Sequence, residues 1–407
     1  MLIPSGSVRR RPPRPAHLRP PGYDEGFDAD TLYYDAFLRG RTLTAIGPPL
    51  GGDVADRESW RFTAGGKRLR ARIIRRDRTE ITEFGQALGA PTLGLAAPRS
   101  TPQKVRVGTD LSAVFAGTRA LLTLQLDNDL QWIHDWVRWH VSAQGTDAVV
   151  VYDNGSTSYT LNDLLDAICV PGVRVAAVVN WSFPYGPQGD VDLDLPWDSD
   201  FAQYGAIEHA RWRLLRKAHG VLSVDIDELV YATGELTAYE CAQAAAQGFV
   251  RFSGEWTYTD PASPPTRPVH ADCRWVHDGD SATADKWCAA PRRLPRGSQL
   301  GVHLAHGLEM PPHAPLRYWH MRAVSTHWKI DRSTHEGDSD SYQESALAAA
   351  QLRKHLDETA ALVGRASAPG VRLFAERARA RVWLAAHRGR RFAKRILSDL
   401  RTRNQHG

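Results

Sequence analysis

Nowhere in its 407 residues does the chain carry eighteen consecutive apolar residues, so no segment is expected to cross a membrane as a helix. Cysteine is scarce: Cys169, Cys241, Cys273 and Cys288 are the only four, and no two of them form a Cys-x-x-Cys pair. Neither a zinc site nor a disulfide framework is indicated, and a reduced cytoplasmic setting is expected, although Cys273 and Cys288 would be available to bridge in an exported protein. The first 22 residues have no apolar stretch and are rich in Arg and Pro, so residues 1–22 read as a disordered basic tail and not as a signal peptide. A strong charge imbalance is also missing. Against 51 Lys and Arg stand 46 Asp and Glu, net +5, with the positive charge gathered at the two ends. The middle is therefore no nucleic-acid surface, and no nucleic acid is expected as a partner. What the chain does have is material for a core, 42% hydrophobic residues and 13 Trp, enough for a folded enzyme of one large or two medium domains.

The most informative stretch is Val221-Leu222-Ser223-Val224-Asp225-Ile226-Asp227-Glu228-Leu229. An apolar run ending in Asp-Ile-Asp reads as a buried strand that delivers two carboxylates to its carboxyl end. Alternation sets Asp225 and Asp227 on one side of the extended backbone and Ile226 on the other, so both acids face one hard cation or its waters. Mg²⁺ or Mn²⁺ held there would in turn hold a diphosphate and neutralise the charge that develops as it leaves.

Residues 23–115 show short alternating pieces broken by Gly-Gly and Gly-Pro, a β-rich accessory region without evident chemistry. From Ala120 to Val230 the pattern changes to strand and helix in turn. Leu121 to Leu126 is a short strand, and Asp129 caps a helix with Leu130, Ile133, Val137 and Val141 on one face, closed by Gly145. Ala148 to Tyr152 is a buried strand, Leu161 to Ile168 a helix, Val173 to Val179 a strand, and Phe201 to Ala218 a long helix before the Asp-Ile-Asp strand. Such alternation predicts an α/β fold, a mostly parallel sheet with helices on both faces and ligands at the carboxyl ends of its strands.

The order Leu126-Asp127-Asn128-Asp129, then Trp132, Trp136 and His140, then Tyr152-Asp153-Asn154-Gly155-Ser156, then Asp225-Ile226-Asp227-Glu228 resembles glycosyltransferases of the GT-A fold. It is most similar to the glycosyltransferase family 92 type, related to family 2, and the resemblance covers roughly residues 120 to 330. It implies a GT-A domain over residues 116–335, with the β-rich region before it and a helical extension, 336–407, after it. It implies a nucleotide-sugar donor, with UDP-sugar favoured, and a glycan or lipid-linked acceptor. Asp153 would accept a hydrogen bond from a uracil-like base, with Asn154, Asn128 and Asp129 lining the same pocket; the other expectation for these residues is a turn after a strand and a helix cap. Lys286, in Asp285-Lys286-Trp287, would pair with the diphosphate, and His303 would complete the shell of Asp225 and Asp227, in competition with His306, His313 and His320. Trp319-His320-Met321-Arg322 resembles the family's closing His-Tyr-Arg segment, with Met321 where an aromatic is usual. An inverting transfer needs a general base near the metal; Glu255, Asp272 and Asp285 are the candidates, and Glu228 is expected to support the metal aspartates from behind. Trp132, Trp136 and Trp139 are expected to be packing.

After Gly370, Val371, Phe374, Ala378, Val382, Ala385, Gly389, Phe392, Ile396 and Leu400 recur at three- and four-residue steps, with arginine opposite. That spacing predicts a basic amphipathic helix, either a peripheral contact with an anionic membrane through residues 371–403 or a helix docked on the domain with a solvated basic face. Two other functions compete. A nucleic-acid-binding protein using its arginine-rich ends leaves the ordered Asp motifs unexplained. A carboxylate-metal phosphatase of the haloacid-dehalogenase type would carry its Asp-x-Asp near the first strand, whereas here it comes late.

Overall fold

A computed structural model describes residues 10–50, 60–86, 91–97, 102–187, 199–324 and 339–356, together with the backbone of 371–375 and 382–386. The chain is a mixed α/β protein, rich in strands. After a one-turn helix α1 (Tyr23–Gly26), eight strands make two small antiparallel sheets: β1 (Asp35–Arg39), β2 (Thr42–Gly47), β3 (Arg61–Ala64), β4 (Lys67–Leu69), β5 (Arg72–Arg75), β6 (Glu80–Gln86), β7 (Thr92–Ala96) and β8 (Gln103–Arg106). Their orders are β1-β2-β6-β5 and β4-β3-β7-β8. Period-two alternation divides the first sheet's side chains between two cores. Ala36, Leu43, Ala45 and Phe84 meet Phe62, Leu93 and Leu95 of the second sheet. Phe37, Ile46 and Ile81 face the other way and join the core of the main sheet. The β-rich region is thus packed directly onto the domain that follows.

That domain alternates strand and helix: β9 (Arg119–Gln125), α2 (Leu130–Gln144), β10 (Ala148–Asp153), α3 (Leu161–Ile168), β11 (Val175–Asn180), α4 (Phe201–His209) and β12 (Gly220–Ser223). Asp129 caps α2 by accepting the Gln131 N–H at 2.9 Å, and Gly145 ends the helix at φ 65°, a conformation glycine adopts at little cost. Thr160 and Asp163 form a reciprocal capping box at the start of α3. Strands β12, β9, β10 and β11 are parallel neighbours in that order. The chain therefore moves outward from β9 to β11 and then crosses back to the other side of β9. Helices α2 and α3 pack on one face with Leu121, Val149, Val151 and Val178, and α4 packs on the other with Ala120, Leu122, Val150 and Val179. A reversal of strand order of this kind opens a crevice at the carboxyl ends of the two diverging strands, here β9 and β12.

Beyond β12 come β13 (Glu228–Ala232), α5 (Ala238–Ala244), β14 (Phe249–Phe252), β15 (Gly254–Thr257), β16 (Trp275–His277), β17 (Lys286–Ala289), β18 (Gln299–Leu300), β19 (Ala305–His306), β20 (Leu316–Met321), β21 (Tyr342–Glu344) and α6 (Ala346–Leu356). β17 and β14 extend the main sheet antiparallel beyond β12. β13, β20 and β15 form a separate three-stranded sheet, β16 pairs with β21, and β18 pairs with β19. Trp139 of α2 donates its ring N–H to the Val230 carbonyl at 2.7 Å. Burial lowers the His140 pKa to about 3, so its ring is neutral and accepts from Val230 N–H at 3.3 Å. Trp136 and Trp139 are wholly buried, and the Trp132 ring N–H donates to the Pro268 carbonyl at 2.8 Å. The tryptophans are packing, as the sequence predicts.

The expected helix over residues 371–403 needs correction. Its described parts are strands, β22 (Val371–Ala375) and β23 (Val382–Ala386), and β23 pairs antiparallel with β11. Each is a five-residue piece dominated by Val, Leu, Phe or Trp, a composition that suits a strand, and β11 would otherwise present an open edge at this side of the sheet. Residues 376–381 and 387–403 lie outside the described residues. Among the described residues no helix is long and apolar enough to cross a membrane, and all four cysteines are free.

Candidate metal centre

β12 ends at Ser223, and the chain then turns through Asp225, Ile226 and Asp227 into β13. Ile226 is buried while the two aspartates keep solvent contact, the alternation expected of this segment. The Glu228 N–H donates to the Asp225 carbonyl at 3.1 Å, and the Asp225 N–H donates to the Glu228 carboxylate at 2.8 Å. This closed turn brings Glu228, which is only 1% exposed, back beneath Asp225. β20 supplies the third component. Its register sets His320 opposite Glu228, and the Met321 N–H donates to the Asp227 carbonyl at 2.8 Å. The His320 Nε2 lies 3.1 Å from Asp227 Oδ2. The ring is stacked on Trp256, with centroids 3.9 Å apart, and Trp256 in turn lies beneath the Arg322 guanidinium.

Asp227, Glu228 and His320 each offer one ligand atom, and these atoms lie within 4.8 Å of one another. Two carboxylate oxygens and an imidazole nitrogen suit Mn²⁺ better than Ca²⁺. His320 stands where His303 was expected. His303 instead places Nδ1 3.0 Å from the Asp285 carbonyl on the loop beside Lys286. Although its ring edge reaches solvent, crowding by surrounding atoms and the Lys286 charge pull its pKa down to about 4. Asp225 is near enough for its charge to be felt there.

Lys286, at the start of β17, is 3% exposed and lies 2.5 Å from Asp225 and 3.1 Å from Glu228. Burial opposes its charge, but the two carboxylates outweigh burial and hold the ammonium protonated above the ordinary lysine range. Burial pushes Glu228 up to about 7 against the pull of Lys286, with the Asp225 charge adding to the rise. Glu228 is thus shared between the ammonium and the Asp227–His320 side. Two carboxylates meet the one ammonium, and a third, Asp227, lies beyond Glu228 against His320, so a divalent cation here would enter a cluster rich in carboxylate.

The strand end expected to hold a nucleotide base is built differently. Asp153 is 2% exposed, and both of its oxygens are engaged. One accepts from the Gln125 amide at 2.5 Å, and the other accepts from the backbone N–H of Gly155 at 3.2 Å and of Ser156 at 3.1 Å. Asn154 donates to the carbonyls of Trp181 at 2.8 Å and Phe183 at 2.9 Å. Asn128 lies against the Gln125 side-chain oxygen, and Asp129 combines its capping role with an ion pair to Arg267. Gln125, which carries no motif in the sequence, is the hub: it also receives the Tyr159 hydroxyl at 2.9 Å and donates to Ser156 Oγ at 3.2 Å. Asp153 and Asn154 therefore fasten the loops after β9, β10 and β11 together. The turn and cap alternative describes Asp153, Asn154 and Asp129, while Asn128 is held by Gln125.

The three candidate general bases are each engaged by partners of their own. Glu255 pairs with Trp319, one residue out of step with the Trp256–His320 pair, so the pleat turns it to the opposite face of the three-stranded sheet from His320. There it accepts from Arg317 at 2.6 Å. Asp272 accepts the Val269 N–H at 2.9 Å within its own short turn. Asp285 is engaged by Arg251 at 2.8 Å and His313 at 2.9 Å.

No family model matches the chain. A comparison with curated proteins likewise found none that match it.

Proposed function

We propose that the protein is a metal-dependent glycosyltransferase that moves a sugar from a nucleotide-sugar donor, a UDP-sugar in the first instance, to a glycan or lipid-linked acceptor. The observation that carries this is the Asp227–Glu228–His320 group at the mouth of the crevice where strand order reverses. The GT-A resemblance of the motifs adds to it, and so do the four parallel strands with helices on both faces. Mn²⁺ or Mg²⁺ bound there would neutralise charge gathering on a departing diphosphate. The chain's own residues would do the rest. Asp227 and His320 orient each other, Trp256 holds the imidazole plane by stacking, and Glu228 links the centre to Lys286. Lys286 would meet the diphosphate only by loosening its contact with Asp225, because the two are in direct contact.

Some parts of the expectation are not carried forward. Asp153 and Asn154 are committed to loop geometry, and so are left out of the base pocket. Glu255 and Asp272 are left out as general bases for the reasons of register and local bonding given above. The membrane contact through residues 371–403 rested on one continuous helix, and two strands interrupt that span. The test is calorimetric titration of UDP with and without Mn²⁺, in the wild type and Asp227→Ala. Metal-dependent binding that the substitution removes is expected. Binding indifferent to both metal and Asp227 would sink the proposal.

A further inference from the structure

Among the described residues three that are not glycine have left-handed backbones: Asp127 at φ 51°, Arg78 at φ 51° and Asp200 at φ 61°. Such conformations cost of order 1 kcal/mol each for residues with a side chain, and they persist where surrounding structure holds them. All three border the carboxyl end of the main sheet. Asp127 follows β9, Asp200 precedes α4, and Arg78 belongs to the tip of the β5–β6 hairpin, delivered from the N-terminal sheets.

That tip is pinned to the crevice wall. Gln299, nearly buried, accepts from the Asp77 N–H at 2.9 Å and donates to the Asp77 carbonyl at 2.7 Å and to Thr79 Oγ1 at 3.1 Å. The turn itself is closed by the Arg76 N–H donating to the Thr79 carbonyl at 2.9 Å. The Arg78 guanidinium is thereby laid over the Tyr204 ring at 4.3 Å, with Nη1 3.4 Å from Asp200 Oδ2 and Nε 3.5 Å from Asp77 Oδ2. One turn into α4, Gln203 accepts from the Tyr185 hydroxyl at 2.6 Å and lines a small cleft together with Tyr152, Ser223 and Asp225. On its other side Tyr204 abuts Gly301, where an added Cβ would lie 3.0 Å from the ring. Two residues on, His303 meets the Asp285 carbonyl beside Lys286. Arg78 and Asp225 thus flank the same end of the sheet, and the buried Tyr185 hydroxyl feels the charges of Asp200, Asp225 and Arg78 alike.

Charge gives this placement a use. Asp225, Asp227 and Glu228 exceed Lys286 by two negative charges when ionised, and a divalent cation cancels those two. The metal would still meet a diphosphate, but the group and its metal together would then carry no net positive charge, and a further cation would be needed to balance the ligand. We propose that Arg78 binds a phosphate oxygen of the ligand and that Asp200 holds the guanidinium in position for it, an inference that rests on the nucleotide-sugar function proposed above. A guanidinium presents five donors in a planar fork, so contact with Asp200 and with a phosphate are compatible. The β-rich region is then part of the binding site and not an accessory.

The experiment is calorimetric titration of UDP, and separately of inorganic pyrophosphate, in the presence of Mn²⁺. Wild type, Arg78→Ala, Arg78→Lys, Asp200→Ala and Asp227→Ala would be compared, with the melting temperature of each. Arg78→Ala is expected to weaken both ligands by about 10- to 100-fold, the worth of a charge-assisted contact, with only partial recovery in Arg78→Lys. Asp200→Ala should lower the melting temperature as Arg78→Ala does and weaken both ligands by a smaller factor, about three- to tenfold, since the guanidinium remains but is no longer held in place. If both substitutions lower the melting temperature and neither changes affinity, Arg78 is a structural ion pair and the inference is overturned. Loss of binding in Asp227→Ala would in that case leave the metal-dependent function standing. If the wild type binds neither ligand, both fall together.

Discussion

Two acidic motifs close parallel strands of the same sheet, and they have opposite capacities. Asp153 after β10 is surrounded by donors: two backbone N–H groups and the Gln125 amide saturate it. Asp225, Asp227 and Glu228 after β12 are gathered together, with Lys286 as the cation Asp225 and Glu228 share and His320 as the nitrogen beside Asp227. A carboxylate whose acceptors are spent on its own loop stabilises that loop. A group in which carboxylates gather beside an imidazole and one ammonium has the chemistry to take a divalent cation. The contrast lies in the partners, and the partners come from residues distant in sequence: 61 positions separate Asp225 from Lys286, and 93 separate Asp227 from His320.

The largest effect should come from Lys286→Met. Removing the ammonium leaves Asp225 and Glu228 facing each other without a cation, at a cost of about 3–5 kcal/mol for breaking a buried pair. Chemical denaturation would read it, and Mn²⁺ should restore more stability to this variant than to wild type. Asp153→Ala comes next, at about 2 kcal/mol for the donors left unsatisfied. Unlike any substitution at the metal centre, it should leave Mn²⁺ affinity unchanged; a loss of metal binding would erase the distinction between the two strand ends.

A pH effect follows in size. The Glu228 pKa is raised in the folded protein, to about 7 from an ordinary value of 4.5. Its contribution to stability is therefore fully present below about 4.5 and is lost as pH rises toward 7. Metal-free protein should lose stability across that window, and Glu228→Gln should flatten the decline, as read by melting temperature against pH. The smallest effect belongs to Glu255→Gln. Its ion pair with Arg317 is at the surface, with both side chains substantially exposed, and is worth less than about 1 kcal/mol. UDP affinity and turnover should be unaltered, and a variant that binds UDP but does not turn over would return Glu255 to the catalytic group.

Much of this contrast was out of reach of the sequence alone, for reasons that particular residues make plain. The run from β9 to β12 was legible because local signals agree there: a capping aspartate, a closing glycine at 145, and apolar strands bounded by turns. Asp225 and Asp227 were legible as a strand-end pair. The choice of His320 over His303 was not, because it depends on the β13–β20 register, a pairing across about 90 residues with no local signature. Lys286 as the cation of Asp225 depends in the same way on β17 joining the sheet beside β12. Gln125 carries no motif; only its position between two loops makes it a hub. The C-terminal strands were misread because five residues are too few to separate a period of two from one of 3.6, and the arginines between them extend the helical pattern across the gap.

The most direct test of the account is Mn²⁺ binding itself, followed by the paramagnetic resonance signal of free Mn²⁺ as metal-free protein is added, for wild type, His320→Ala and Asp153→Ala. The account predicts one bound ion per wild-type chain, affinity at least tenfold weaker in His320→Ala, and no change in Asp153→Ala. Equal binding by wild type and His320→Ala, or none by either, would contradict it.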